Sequence, residues 1–394
     1  MSSRIYIEVS CEQRNYGSER ICGDVFLSRK IREENRTIAV LSDGMGHGVK
    51  ANILATLTAT MSVNFTIEHK NPETIADIIM NTLPVCSERH MSYSTFTIID
   101  IEVDGQITIL EYDNPRTIIL RNYRSYDPGW QQTVMRTSKN EGKEIFTCRF
   151  KPKKEDRILI FSDGITQSGM GTEKYPLGWG YDNLERYTES LVKNAPHISA
   201  AKLAEKIVNM AYRNDNYNAK DDTSCAGIYF REPRKLLIST GPPYEEENDK
   251  KLGKAVREFK GNKVVCGATT ADIIARELGV TIEDSLEFTD PDLPPVSSMP
   301  GIDLVTEGIL TITKVTRILK DYSPSYELGN GPADRIIKMV RESDEIEIII
   351  GTRINIAHQD PSLPLDLEIR RTVVKRMARL LEEKFLKEVT ISYI

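Results

Sequence analysis

Histidine is scarce in this sequence, with five in 394 residues, beside two tryptophans and six cysteines. The cysteines (Cys11, Cys22, Cys86, Cys148, Cys225 and Cys266) form no Cys-x-x-Cys pair, and none stands near a histidine at zinc-ligand spacing. Any metal therefore has to be held by oxygen, which favours magnesium or manganese over zinc. Unpaired thiols read as reduced and buried, which suits the cytoplasm. No apolar stretch approaches the roughly 20 residues that span a bilayer. Residues 1–9 lack the apolar run and cleavage site of a signal peptide. Long basic runs are also missing and the formal net charge is −6, which argues against nucleic acid and an anionic membrane as partners. Neither Gly-x-Gly-x-x-Gly nor Gly-x-x-x-x-Gly-Lys-Ser/Thr occurs, so the common nucleotide-binding loops are absent.

The chain is long for one hydrophobic core and suits two domains, with 40% apolar and 28% charged residues as in an ordinary soluble protein. Residues 5–9, 25–27 and 37–42 read as strands. Residues 49–65 place Ile53, Leu54, Leu57, Met61 and Phe65 on a helical period. Asn71-Pro72-Glu73 starts a second helix, with Asn as N-cap and Pro at the first turn. Asp104-Gly105 marks a hairpin between strands 94–103 and 106–112. Strands follow at 117–121, 157–161 and 224–230, with a helix at 200–212. Near residue 233 the texture changes to a regular alternation. Strands at 236–239, 263–266, 303–306, 346–350 and 389–393 are separated by helices at 247–259, 271–278, 309–320, 333–341 and 369–385. This pattern predicts a second, α/β domain over 233–394 with a mainly parallel sheet covered on both faces.

Four acidic segments stand out in residues 1–232: Gly23-Asp24, Ser42 to Gly48, Ser162-Asp163-Gly164 and Asp221-Asp222-Thr223. An isolated Asp-Gly is usually a turn. Here Asp43 and Asp163 both follow apolar segments, Ile38 to Leu41 and Ile158 to Phe161, which are expected to run side by side in one buried sheet. Glycine after each aspartate lets the backbone approach an ion. Carboxylates gathered at a sheet end repel one another unless cations neutralise them. Phosphate-monoester hydrolysis is so slow that enzymes accelerate it by up to about 10²¹. A positioned acid or base supplies only about 10²–10⁴. Two metals roughly 4 Å apart can supply a nucleophile, orientation and charge neutralisation together. An all-aspartate site with few histidines fits that demand.

These segments, together with Cys22, Asp113-Asn114-Pro115 and Lys220, resemble the metal-dependent protein phosphatases of type 2C. The closer likeness is to the bacterial branch named after stage II sporulation protein E. The resemblance covers about residues 1–230. It implies an α+β four-layer phosphatase fold, a β-sandwich flanked by helices, and a hydrolase acting in bacterial signalling. It implies two divalent cations, Mn or Mg: Asp43 bridges both with the Gly44 carbonyl on one, Asp163 and Asp221 ligate the other with Asp222 beside them, and Asp24 holds metal-bound waters. A metal-bridging hydroxide then attacks the phosphorus of a phosphoserine or phosphothreonine on a protein substrate, in relatives commonly an antagonist of an anti-sigma factor. The histidine that larger relatives carry after the first Asp-Gly is replaced by Met45. His47, two residues on, is a candidate general acid or else a loop residue supporting the next helix. No N-terminal arginine stands out to grip phosphate, and Arg14 and Arg20 read as solvated. The glycine-rich residues 166–180 are expected to form a mobile flap.

The second domain resembles no family. Its strand ends carry Thr240-Gly241, Gly267 with Thr269-Thr270, Thr306-Glu307-Gly308 and Arg353, where open α/β sheets bind ligands and helix N-termini favour anions. These positions are either a small-anion site that regulates the first domain or ordinary turn and cap chemistry. Two alternatives stay open: a non-catalytic binding module with the phosphatase fold, and a small-molecule-binding second domain that carries the main activity.

Overall fold

Of the strand Arg36–Gly44 every residue but Asp43 is buried, so both of its faces meet apolar neighbours. The computed structural model describes residues 5–17, 19–31, 33–83, 94–102, 105–137, 140–323, 326–353 and 366–394. Cys86 and Asp104 lie outside these. The chain divides into two units, Met1–Glu232 and Pro233–Ile394.

In chain order unit 1 contains β1 (Tyr6–Arg14), β2 (Asp24–Ile31), β3 (Arg36–Gly44), α1 (Gly48–Ile67), α2 (Pro72–Thr82), β4 (Ser94–Glu102), β5 (Ile107–Tyr112), β6 (Ile118–Arg121), β7 (Arg124–Ser125), β8 (Gln131–Val134), β9 (Glu144–Phe150), β10 (Arg157–Phe161), α3 (Asp163–Thr166), α4 (Tyr181–Asn194), α5 (Ala200–Asn214) and β11 (Thr223–Arg231). The strands form two antiparallel sheets, ordered β1-β11-β10-β6-β7 and β2-β3-β4-β5-β9-β8. Leu41, Ile99 and Ile109 of one sheet share a core with Ile158, Ile160 and Ile228 of the other. On the outer faces, Ile38 and Val40 pack on α1 and α2 through Val63, Ile75 and Ile79, while Leu159 and Phe161 pack on α4 and α5 through Leu184, Leu203 and Ile207. The layers are therefore helix, sheet, sheet, helix.

Two sequence expectations change here. Segments 38–41 and 158–161 do not run side by side. They lie in opposite sheets and face each other across the shared core. Both read as doubly buried strands, and burial alone cannot say which sheet holds them. In α1 the large apolar residues on the predicted period divide: Met61 and Phe65 pack against the core, whereas Ile53 is 61% exposed and Leu57 44%. The face turned inward is Ala51, Ala55, Thr58, Ala59, Ser62 and Thr66. Small side chains let α1 lie close against β3. α2 starts as expected, with the Asn71 side chain accepting from the Thr74 N–H at 2.8 Å.

Unit 2 contains β12 (Lys235–Thr240), α6 (Asp249–Glu258), β13 (Asn262–Cys266), α7 (Ala268–Leu278), β14 (Glu283–Asp284), β15 (Ser297–Met299), β16 (Ile302–Thr306), α8 (Ile309–Asp321), α9 (Pro332–Glu342), β17 (Glu345–Ile350), α10 (Asp366–Glu383) and β18 (Glu388–Tyr393). The sheet order is β14-β15-β16-β13-β12-β17-β18. Strands β16, β13, β12, β17 and β18 are parallel, and β14 and β15 add a short antiparallel edge that the sequence did not suggest. Leu236, Ile238, Ile346 and Ile348 face α8, α9 and α10, and Leu237 and Val265 face α6 and α7. Among the described residues no helix is long and apolar enough to cross a membrane.

Candidate metal centre and the two clefts

Register brings the acidic residues of unit 1 together. The β2–β3 pairing sets Asp24 directly opposite Asp43. Asp163 opens α3 just after β10, and Asp221 and Asp222 lead into β11, the neighbour of β10. Asp24 is 2% exposed; its Oδ2 accepts from Ser224 Oγ at 2.6 Å, while its Oδ1 is buried with no hydrogen-bond donor. Asp222 Oδ1 accepts from the Tyr16 N–H at 3.0 Å, and its Oδ2 is likewise buried without a donor. Asp163 Oδ2 accepts from Gln167 Nε2 at 2.7 Å.

Burial, with repulsion from Asp222 and Asp163, pushes Asp24 up to about 7. Burial and the charges of Asp24, Asp163 and Asp221 hold Asp43 well above the carboxylate range. Burial and Asp163 push Asp221 up to about 6. Such a cluster is unfavourable when fully ionised and suits cations. Among the described residues, however, no three acidic, histidine or cysteine side chains converge into a ready-made ion cage. The carboxylates are crowded without closing on a common centre, so rotation of their side chains is needed to complete one. The chemistry of the donor set and the two orphaned oxygens fit divalent ions; the cage itself is not preformed.

The glycines have a packing role that the sequence did not reveal. A Cβ at Gly44 would stand 2.1 Å from the Ala51 carbonyl oxygen, and one at Gly164 2.2 Å from the Asp222 carbonyl oxygen. Each glycine lets another backbone approach the neighbouring aspartate.

Asp43, Asp163 and Asp221 line a cleft of about 1230 Å³ that also exposes His47, Asp113, Arg116, Lys143 and Lys220. The His47 side chain does not cap α1. Its Nδ1 lies 3.2 Å from Glu19 Oε1 and its ring stacks on Tyr16 at 4.5 Å between centroids. Arg20 is exposed, but Arg14 is not simply solvated: its guanidinium sits 3.9 Å over the Tyr212 ring and donates to Asn209 Oδ1 at 3.3 Å. The cleft arginine is Arg116, which follows Asp113-Asn114-Pro115 in sequence. Asn114 ties that turn to the strands beside it, donating to the Leu41 carbonyl and Thr97 Oγ1 and accepting from Thr95 Oγ1.

Residues 166–180 leave the cleft at Thr166 and Gln167 and are tied back on themselves and to α5. Trp179 N–H donates to the Ser168 carbonyl at 2.8 Å, Gly180 N–H to the Thr166 carbonyl at 2.8 Å and Gly169 N–H to Asp215 Oδ1 at 2.7 Å. The glycines serve this tight path, with Gly169, Gly171, Gly178 and Gly180 all at positive φ.

In unit 2, Gly241, Gly267, Thr269 and Thr270 line a second cleft of about 1110 Å³ at the carboxyl ends of β12, β13 and β16. Two expected members are elsewhere. Thr240 is 1% exposed beneath the cleft. Arg353 reaches Glu246 at 3.5 Å instead, because Arg353 N–H is bonded to the Pro242 carbonyl and the side chain leaves along the surface. The basic residue in this cleft is Arg370 of α10. At the start of α8, Glu307 Oε2 already accepts from the N–H groups of Leu310 and Thr311, so that helix end carries its own anion.

The chain belongs to the stage II sporulation protein E (SpoIIE) family, whose model matches residues 33–230. Unit 2 lies beyond the match. No curated protein matches the chain. Among solved structures, the chain is similar to the phosphatase domain of SpoIIE from Bacillus subtilis, at 15% identity over 59% of this chain and 95% of that one, with a TM-score of 0.44. It is also similar to RsbX in complex with magnesium, at 18% identity, 57% and 95% coverage and a TM-score of 0.39. A third is the catalytic domain of the serine/threonine protein phosphatase PstP with two manganese ions, at 12% identity, 58% and 99% coverage and a TM-score of 0.38.

Proposed function

We propose that this chain is a cytoplasmic metal-dependent serine/threonine protein phosphatase that hydrolyses phosphoserine and phosphothreonine on a protein substrate, with unit 2 as its regulatory part. The observation that carries the reading is the crowding of Asp24, Asp43, Asp163, Asp221 and Asp222, two of which keep buried oxygens without a donor. A buried anionic oxygen without a donor is costly, and a cation is the natural partner. These five side chains, with the Gly44 carbonyl, would hold two divalent ions, Mn or Mg. When bound, such ions supply Lewis acidity, neutralising phosphoryl oxygens and acidifying a water. The chain's own residues do the rest. Asp24, bonded to Ser224, lies opposite Asp43, and Asp222 is held through one oxygen by the Tyr16 N–H. His47, paired through Nδ1 with Glu19, is the proton donor this reading assigns to the leaving oxygen.

The family resemblance suggests antagonists of anti-sigma factors as the substrate class. Phosphate release from phosphoserine, phosphothreonine and phosphotyrosine peptides, with and without manganese, tests the reading. Release from the first two only, and only with metal, is expected. No release under any metal condition would leave the non-catalytic module.

A second reading concerns unit 2. The convergence of Gly241, Gly267, Thr269, Thr270 and Arg370 on one cleft favours a small anionic ligand. Loss of metabolite-induced thermal stabilisation in Arg370→Ala is expected. Stabilisation that survives in the variant would remove Arg370 from the site. A ligand that binds without altering phosphatase turnover would leave unit 2 without a regulatory role.

A further inference from the structure

We propose that Arg116 is the residue that grips the phosphoryl group of the substrate; this rests on the phosphatase reading of the same cleft. Arg116 sits on the connection between β5 and β6, which belong to different sheets, and it lines the cleft that holds Asp43, Asp163 and Asp221. Its guanidinium is built in. Glu111, 1% exposed, accepts from Arg116 Nη1 at 2.6 Å through Oε2 and from the Thr117 N–H at 2.8 Å through Oε1. The guanidinium carbon lies 3.8 Å from the ring centroid of Phe146 and 4.5 Å from that of Trp130.

Among the described residues Glu111 is the one hydrogen-bond acceptor of Arg116, so most of its five N–H groups are uncommitted. The side chain nonetheless keeps 31% exposure. A guanidinium held flat by rings and anchored at one corner has already lost its freedom, so binding by it costs little ordering. The uncommitted donors match the paired oxygens of a phosphoryl group. The other basic side chains of the cleft, Lys143 with Nζ on Asn140 Oδ1 at 3.1 Å and Lys220 with Nζ on the Met170 carbonyl at 2.8 Å, are point charges without the planar fork. The plain alternative is that Arg116 only neutralises Glu111.

The test uses the full chain with manganese and compares wild type with Arg116→Lys, which keeps a cation for Glu111 but loses the fork. Alanine is unsuitable alone, since it strands a buried carboxylate. Steady-state kinetics on a phosphothreonine peptide, product inhibition by inorganic phosphate and calorimetry with phosphate are measured on both. Arg116→Lys is expected to raise the peptide KM and to weaken phosphate, in inhibition and in direct binding, by roughly 10- to 100-fold, with kcat changed less. A folded variant with unchanged phosphate affinity overturns the proposal. A raised peptide KM with unchanged phosphate affinity also overturns it, because Arg116 would then read another acidic group of the peptide. A wild type without turnover would sink the phosphatase reading alone, and phosphate binding lost in Arg116→Lys would still support the grip.

Discussion

Asp24 is the residue at which folding and function conflict most. It is buried, opposite another carboxylate, and one of its oxygens has no donor. Asp24→Asn removes the repulsion while keeping the shape. The melting temperature of the metal-free protein should rise in this variant, and the further rise on adding manganese should shrink or vanish. Equal manganese-induced shifts in variant and wild type would show that Asp24 is no part of the metal centre. In unit 2 the corresponding lesson comes from Asp290. Burial pushes its carboxyl up, but hydrogen bonds and charge from Lys314, at 2.7 and 2.8 Å, outweigh this and hold it below its ordinary 3.8. Its folded value lies below its unfolded one, so the stabilisation is complete above the ordinary value and is lost as pH falls through the folded value. Amide protection around Leu293, relative to the unfolded rate at the same pH, should therefore fall in acid, and Lys314→Gln should show the same low protection already at neutral pH. Identical exchange in the variant and wild type at neutral pH would count against the pair.

At the scale of elements, α1 and the 166–180 loop are the informative cases. The sequence showed that α1 exists and found part of its inward face, Met61 and Phe65, but not the rest. Large apolar residues drew the eye to Ile53 and Leu57, whereas small ones make the contact with β3. Close helix–sheet packing leaves no hydrophobic periodicity to read. Gly44→Ala tests that approach, because the new Cβ meets the Ala51 carbonyl. A loss of about 1–3 kcal/mol is expected, the usual cost of overpacking, together with weakened manganese binding; unchanged stability would contradict it. For the loop, the bonds from Trp179 and Gly180 predict amides that exchange slowly. Exchange at those two positions as fast as in an open loop would instead support a mobile flap. The four acidic segments could be read because each follows or begins a strand with a glycine beside it or a paired aspartate. Arg116, Lys143 and Lys220 could not, because only the folding of separate connections brings them to one cleft. The antiparallel pair β14–β15 was too short, at two and three residues, to leave a pattern.

At the scale of the whole molecule, a four-layer unit with an acidic cleft is joined in one chain to a mainly parallel-sheet unit with its own cleft. The account stands on the claim that the first unit hydrolyses phosphoprotein with the help of divalent ions held by its aspartates. The most direct measurement is phosphate release from a phosphothreonine peptide by the full chain, with manganese, with manganese plus excess chelator, and by Asp43→Ala with manganese. Turnover should appear with manganese and vanish with chelator. It should fall by roughly 10³ or more in Asp43→Ala, the scale of losing several kcal/mol of charge stabilisation, while the variant melts no earlier than metal-free wild type. Turnover that survives the chelator, or full turnover by metal-stripped Asp43→Ala once manganese is restored, would contradict the account.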